Sequence, residues 1–175
     1  MFSNTEVQKE LEEVSVTKGA GVDGLPPLFL RHCASSLAFP VAYLFNQSLS
    51  ERTFPAIWKS ARIIPIHKSG STHRVENYRG ISILCTLGKV FESMVQAIVN
   101  RAARPLISEY QHGFVQRRST TTNLMCYTNL LFKEIENKHQ VDSIYVDFSK
   151  AFDVVPHIYA IEKLKYMGFP EHITD

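Results

Sequence analysis

Apolar residues recur at two periods along this chain of 175 residues, and the change from one period to the other divides it into elements. Leu30, Cys33, Leu37, Val41, Leu44, Phe45 and Leu49 follow helical spacing between Leu28 and about Ser50. They predict two helices with a buried stripe, parted near Phe39-Pro40. Leu87, Val90, Phe91, Met94, Val95 and Ile98 form a cleaner i, i+3, i+4, i+7 face. That face predicts a helix from a Thr86 cap to about Ala103, ~27 Å long, ending before Pro105. A third helix, from Thr121 to Lys138, is expected to bury Leu124, Thr128, Leu131 and Ile135. A fourth runs from Pro156 to a glycine cap at Gly168, with another helix beginning at Pro170. The polar start and early acid of Asn4–Glu13 predict a short leading helix.

Strand signals fall in two places. Ala61–Lys68 and Gly80–Leu84 are β-branched runs separated by turn chemistry at Ser69-Gly-Ser-Thr, and Pro65 marks an edge. They predict a hairpin with Lys68 and Arg79 flanking its turn. Val141–Val146 reads as a third strand, ending on Asp147. Lys18–Pro27 holds three glycines and two prolines, so it is a shaped loop; no Gly-Lys-Ser/Thr follows to make it a P-loop. Trp58 is expected to anchor packing.

Charge sharpens this picture. The net charge is only +2, but Arg52–Arg118 carries 11 Lys and Arg against 3 Asp and Glu. Aromatics interleave this basic segment, which fits a phosphate-binding surface. Three widely spaced cysteines argue against a disulfide framework or a zinc site and suit a reducing compartment. No run is long enough to span a membrane, and the N-terminus lacks a signal-peptide pattern. The expected location is intracellular, in cytoplasm or nucleus, without secretion.

Candidate chemistry centres on Asp147. An acid at a strand tip either caps a turn or is paired or metal-bound in a cleft, and its spacing favours neither. Two cations on one ribbon can grip a polyphosphate, the arginine as a bidentate fork and the lysine as a point charge. Ser119 or Thr120 can cap the following helix, whose N-terminal end attracts anions.

Tyr145-Val-Asp-Phe-Ser-Lys-Ala-Phe-Asp-Val-Val-Pro-His157 resembles the first catalytic motif of reverse transcriptases, in particular those of non-LTR, LINE-type, jockey-like retrotransposons. Four further stretches match in family order. Gly21-Val-Asp-Gly-Leu-Pro26 is similar to the glycine-proline element ahead of the fingers, with Val22 for the usual proline. Trp58–Lys68 and Asn77–Ser82 are similar to the paired fingers motifs, with Gly80 where many members have proline. Gln111-His-Gly-Phe-Val-Gln-Arg-Arg-Ser-Thr120 resembles a template-contacting motif through Gln111, Gly113, Phe114, Arg118, Ser119 and Thr120; Val115 replaces the usual arginine and Arg117 the usual glycine.

The resemblance implies an α+β fold: right-hand polymerase fingers to about 140 and the beginning of the palm at 141–175. Residues 1–47 would be an N-terminal extension and 48–175 the reverse transcriptase domain. It implies RNA-directed DNA synthesis from an RNA template, a DNA primer and deoxynucleoside triphosphates, with two Mg2+ ions, or Mn2+ in their place. Asp147 and the carbonyl of Phe148 would bind metal, Lys68 and Arg79 the triphosphate, and Phe152 the sugar. Asp153 is expected to be structural. No Asp-Asp dipeptide occurs anywhere. The resemblance therefore implies a chain truncated before the second catalytic motif and inactive by itself. A haloacid-dehalogenase-type phosphatase would need an acid where Ser149 stands. An inactive relic acting as a non-specific nucleic-acid-binding module is the alternative from another class.

Overall fold

A computed structural model describes residues 1–148 and 154–174. The order is α1 (Asn4–Glu12), α2 (Pro27–His32), α3 (Ala34–Ser50), β1 (Ala61–His67), β2 (Tyr78–Leu84), α4 (Thr86–Ala103), α5 (Thr120–Glu136), α6 (His157–Tyr166) and α7 (Glu171–Thr174). Helices and a two-stranded antiparallel sheet make a mixed α and β fold. The chain forms two compact units: Met1–Arg101 with the returning segment from Gly168, and Ala102–Met167. Among the described residues, no helix is long and apolar enough to cross a membrane.

The first unit is built on aromatic packing. Phe45, Phe91 and Trp58 lie mutually within 6 Å between ring centroids, and Phe2 and Phe54 extend the cluster. Trp58 is buried, as its expected anchoring role requires. Gly88 lets α4 approach it: a Cβ there would lie 3.2 Å from two Trp58 side-chain atoms. Ser3 caps α1 reciprocally with Glu6, whose carboxyl is held below its ordinary pKa by the Ser3 backbone and side-chain hydrogen bonds. Phe2 and Asn46 exchange two hydrogen bonds, of 2.7 and 2.8 Å, fastening the N-terminus to α3.

Two helices do replace the Leu28–Ser50 stripe, but the break falls at Cys33, and Pro40 sits inside α3. An internal proline costs about 3 kcal/mol through its lost hydrogen bond and its clash with the preceding turn. Burial of Ala34, Ala38, Val41, Ala42 and Phe45 on one face carries the helix through it. Leu44, expected in the stripe, is exposed. Position 47 lies within α3, with Phe45 and Ser48 buried on either side of it. α4 spans Thr86–Ala103 as its periodicity predicts and buries Val90, Phe91 and Met94, while Ile98 is exposed.

The second unit is more open. α5 buries no residue, although Leu124 and Ile135 were expected to be core; they are 60% and 62% exposed. The apolar period specifies a helix face, but the described residues of this unit cover it only in part: Thr128 and Leu131 are half-buried. No strand forms over 141–148 either. A strand is stable only when a neighbour takes its backbone hydrogen bonds, and Ile144, Tyr145, Val146 and Phe148 are each at least three-quarters exposed. α6 ends at Tyr166, and Gly168, just past its Met167 cap, has a φ of +83° that suits the expected glycine terminus.

Candidate functional site

In the hairpin, Ile66 opposes Arg79, Ile64 opposes Ile81 and Arg62 opposes Ile83. The ladder continues one step beyond β1, where the Lys68 amide donates to the Asn77 carbonyl at 2.8 Å. Opposed residues share a face and alternate residues return to it. Arg62, Lys68 and Arg79 therefore lie on one face, with Ile64, Ile66 and Ile81 between them. Lys68 and Arg79 are diagonal neighbours there. Both are exposed, and neither side chain has a hydrogen-bond or ion-pair partner among the described residues. The turn is braced from within: Asn77 donates to the Ser71 carbonyl at 2.8 Å, Tyr78 to the Thr72 carbonyl at 3.0 Å, and the His67 ring meets the Gly70 carbonyl at 3.0 Å. The bracing holds two unpaired cations on a preset ribbon. Arg62 escaped the sequence reading, although its even spacing from Lys68 within one strand carried the signal.

The Gln111–Thr120 stretch is a loop tied to itself. One guanidinium nitrogen of Arg118 donates to the carbonyls of Ser108, Glu109 and Gln111. Gln111 donates to the Gly113 carbonyl at 3.0 Å, and His112 bonds to the Thr122 hydroxyl at 2.9 Å. Ser119 is the N-cap of α5 in a reciprocal pair with Thr122, and Thr120 is the first helical residue. Phe114 is 95% exposed, and both Phe114 and Arg117 have positive φ, +61° and +66°.

After α5 the backbone reverses at Lys138, φ +60°, where the His139 amide donates to the Glu134 carbonyl at 2.9 Å. The His139 ring meets the Glu134 carboxylate at 2.7 Å. Two turns earlier on the same helix face stands Tyr127. Its hydroxyl bonds to Ser143 Oγ at 2.5 Å and accepts from the Tyr145 hydroxyl at 2.9 Å. The Tyr127 and Tyr145 rings meet edge to face, 6.3 Å between centroids. The Ser143 bond, and after it the Tyr145 bond, holds the Tyr127 phenol below its ordinary pKa; the link to Tyr127 pushes Tyr145 up. Residues 139–145 thus run back along α5 toward the end where the Gln111–Thr120 loop lies, with Asp147 two residues further on. No spacing rule announced these contacts, because they depend on the reversal at Lys138.

The expected residues fall into three groups. Lys68 and Arg79 share a hairpin face, Gln111 to Thr120 form one loop, and Asp147 and Phe148 stand exposed on the segment that follows α5. Phe152 and Asp153 lie outside the described residues. Among the described residues no three His, Cys, Asp or Glu side chains cluster closely enough to hold a metal ion. Asp147 alone does not make a metal site.

Comparison with known proteins bears on what these groups serve. Residues 66–175 match the family model described as reverse transcriptase (RNA-dependent DNA polymerase). The chain is 31% identical over 169 residues to the RNA-directed DNA polymerase from mobile element jockey of Drosophila melanogaster, covering 95% of this chain and 18% of that protein. It is 29% identical over 168 residues to the probable RNA-directed DNA polymerase from transposon BS of the same organism, covering 94% and 18%. It is also 29% identical over 151 residues to a Pol polyprotein of the type-1 retrotransposable element R1 of Bradysia coprophila, covering 85% and 15%. The chain spans less than a fifth of the length of these relatives. With the family model covering well over half of it, the chain belongs to the reverse transcriptase (RNA-dependent DNA polymerase) family.

Proposed function

We propose that this chain is the nucleotide- and template-gripping part of an RNA-directed DNA polymerase of a non-LTR retrotransposon. On this reading, residues up to about 140 are fingers and 141–175 begin the palm. The observation that carries the proposal is the pair of partnerless cations, Lys68 and Arg79, on one face of a braced hairpin. Held there, the two charges suit the triphosphate of an incoming deoxynucleotide, the guanidinium binding in a bidentate fork. Such charges stabilise the negative charge that develops on pyrophosphate as the primer oxygen attacks. The Gln111–Thr120 loop is proposed to meet the template, with Phe114 presenting an exposed ring for stacking.

Reverse transcriptases use divalent metal ions. Asp147 with the Phe148 carbonyl is proposed as this stretch's contribution to binding Mg2+, or Mn2+ in its place. Magnesium usually takes one or two carboxylates together with substrate phosphates, so these donors are one share of a site. Phe152 is proposed to contact the sugar.

The test grafts this chain in place of the matching stretch of the jockey polymerase and measures primer extension on RNA. Lys68→Ala and Arg79→Ala are each expected to raise KM for deoxynucleotides by roughly tenfold or more, a loss typical of a charge-assisted hydrogen bond. Template affinity should stay unchanged. An active graft indifferent to both substitutions removes the hairpin from the nucleotide site. A graft that binds RNA but never extends a primer favours the second reading, a nucleic-acid-binding module; the basic Arg52–Arg118 segment favours it too.

A further inference from the structure

We infer that Tyr127 is a positioning residue for Asp147, acting through Ser143 and Tyr145; this rests on the polymerase reading above. Among the described residues the segment bearing Asp147 has no strand partner. Two sets of contacts lay it along α5 instead. The first is at its root, where His139 meets Glu134 through both backbone and side chain. The second is the Tyr127 hydroxyl, which holds Ser143 at 2.5 Å and Tyr145 at 2.9 Å. These are four and two residues before Asp147.

The arrangement has the features of a tether rather than of incidental surface contact. Glu134 and Tyr127 are seven residues apart on one helix face, so the two attachments are about 10 Å apart along the axis. Four residues of extended chain, His139 to Ser143, span up to roughly 13 Å, enough to bridge them. One hydroxyl serves two partners from the same segment, and the two tyrosine rings add an edge-to-face contact. Tyr127 is the half-buried member, fixed on the helix, whereas Tyr145 is 83% exposed and is the member being held. The direction of the run matters as well. It brings the acid toward the N-terminal end of α5, the end that Ser119 caps and from which the template-matching loop projects. Tyr127 thus couples the register of the acid-bearing segment to the helix that carries that loop. Rate depends steeply on such placement, and a displacement of about 1 Å can cost as much as a hundredfold.

The experiment has two arms. In the jockey graft, Tyr127→Phe and Tyr145→Phe should each lower kcat by roughly tenfold. KM for deoxynucleotides and the thermal midpoint should not move, and the double variant should lose no more than the worse single one. In the 175-residue chain itself, Tyr127→Phe should speed amide hydrogen exchange over 140–147 while leaving α4 and the hairpin unchanged. Ser143→Ala should do the same with the tyrosines intact. Unchanged exchange in these variants overturns the tether. Faster exchange with unchanged kcat in an active graft overturns the positioning role. An inactive parent graft counts against the polymerase reading alone, and the exchange arm still decides the tether.

Discussion

Arg117 shows what a single departure from the family pattern costs. The motif that this loop resembles implies glycine at this place, and the backbone gives a reason: φ there is +66°, a left-handed conformation that a Cβ disfavours by about 1–2 kcal/mol. The Arg118 guanidinium, bonded to three carbonyls of the same loop, holds the strained turn in place. Arg117→Gly is therefore expected to relieve roughly 1 kcal/mol of strain. Chemical denaturation of the chain should show a modest gain, and trypsin should cut the loop no faster than before at its remaining arginine. A loss of stability would mean that the arginine side chain outweighs the backbone it strains.

At the scale of elements, close approach governs where the leading loop and α4 meet. A Cβ on Gly21 would lie 2.5 Å from Cys85 Cα and 2.7 Å from its amide nitrogen, both backbone atoms. The shaped loop is thus packed directly on the link between β2 and α4. Gly21→Ala should cost about 1–3 kcal/mol by overpacking, lowering the midpoint by several degrees, at about 2–4 °C per kcal/mol for a chain of this size. A matching substitution at Gly19, where a Cβ would meet nothing within 4 Å, is the control and should be nearly silent. The elements also show what the sequence could convey. α4 and the hairpin were legible from the apolar period and the turn residues, although Thr86, expected as the cap, is the first helical residue; Lys68 and Arg79 flank the turn as the bounds of the two runs predicted. The break at Cys33 was not legible, because proline is a strong local signal and the burial that carries α3 through Pro40 is tertiary. The Asp147 strand and the buried face of α5 failed for the opposite reason. Both readings presume neighbours that the described residues do not supply.

For the molecule as a whole, charge is the property with a solution consequence. The basic Arg52–Arg118 segment predicts that the chain binds RNA without strong sequence preference and that the binding is displaced by salt. The logarithm of affinity should fall linearly with the logarithm of salt, by about 0.7 per phosphate contacted on a single strand. Fluorescence anisotropy with a labelled RNA from about 50 to 200 mM salt measures that slope. A flat response would remove the segment as a binding surface.

The first unit has one further property, which follows from where its chain leaves and returns. It departs after Arg101 and comes back at Gly168, where Phe169 is nearly buried and Arg52 pairs with Glu171 at 2.9 Å. Everything between is, for that unit, a closed loop. The entropy of closing a loop grows only with the logarithm of its length, so doubling this one would add about 0.6 kcal/mol. The body that holds the Lys68–Arg79 hairpin is thereby nearly indifferent to insertions and deletions in the stretch that holds the Gln111–Thr120 loop and Asp147. Changes of length there leave the rest folded.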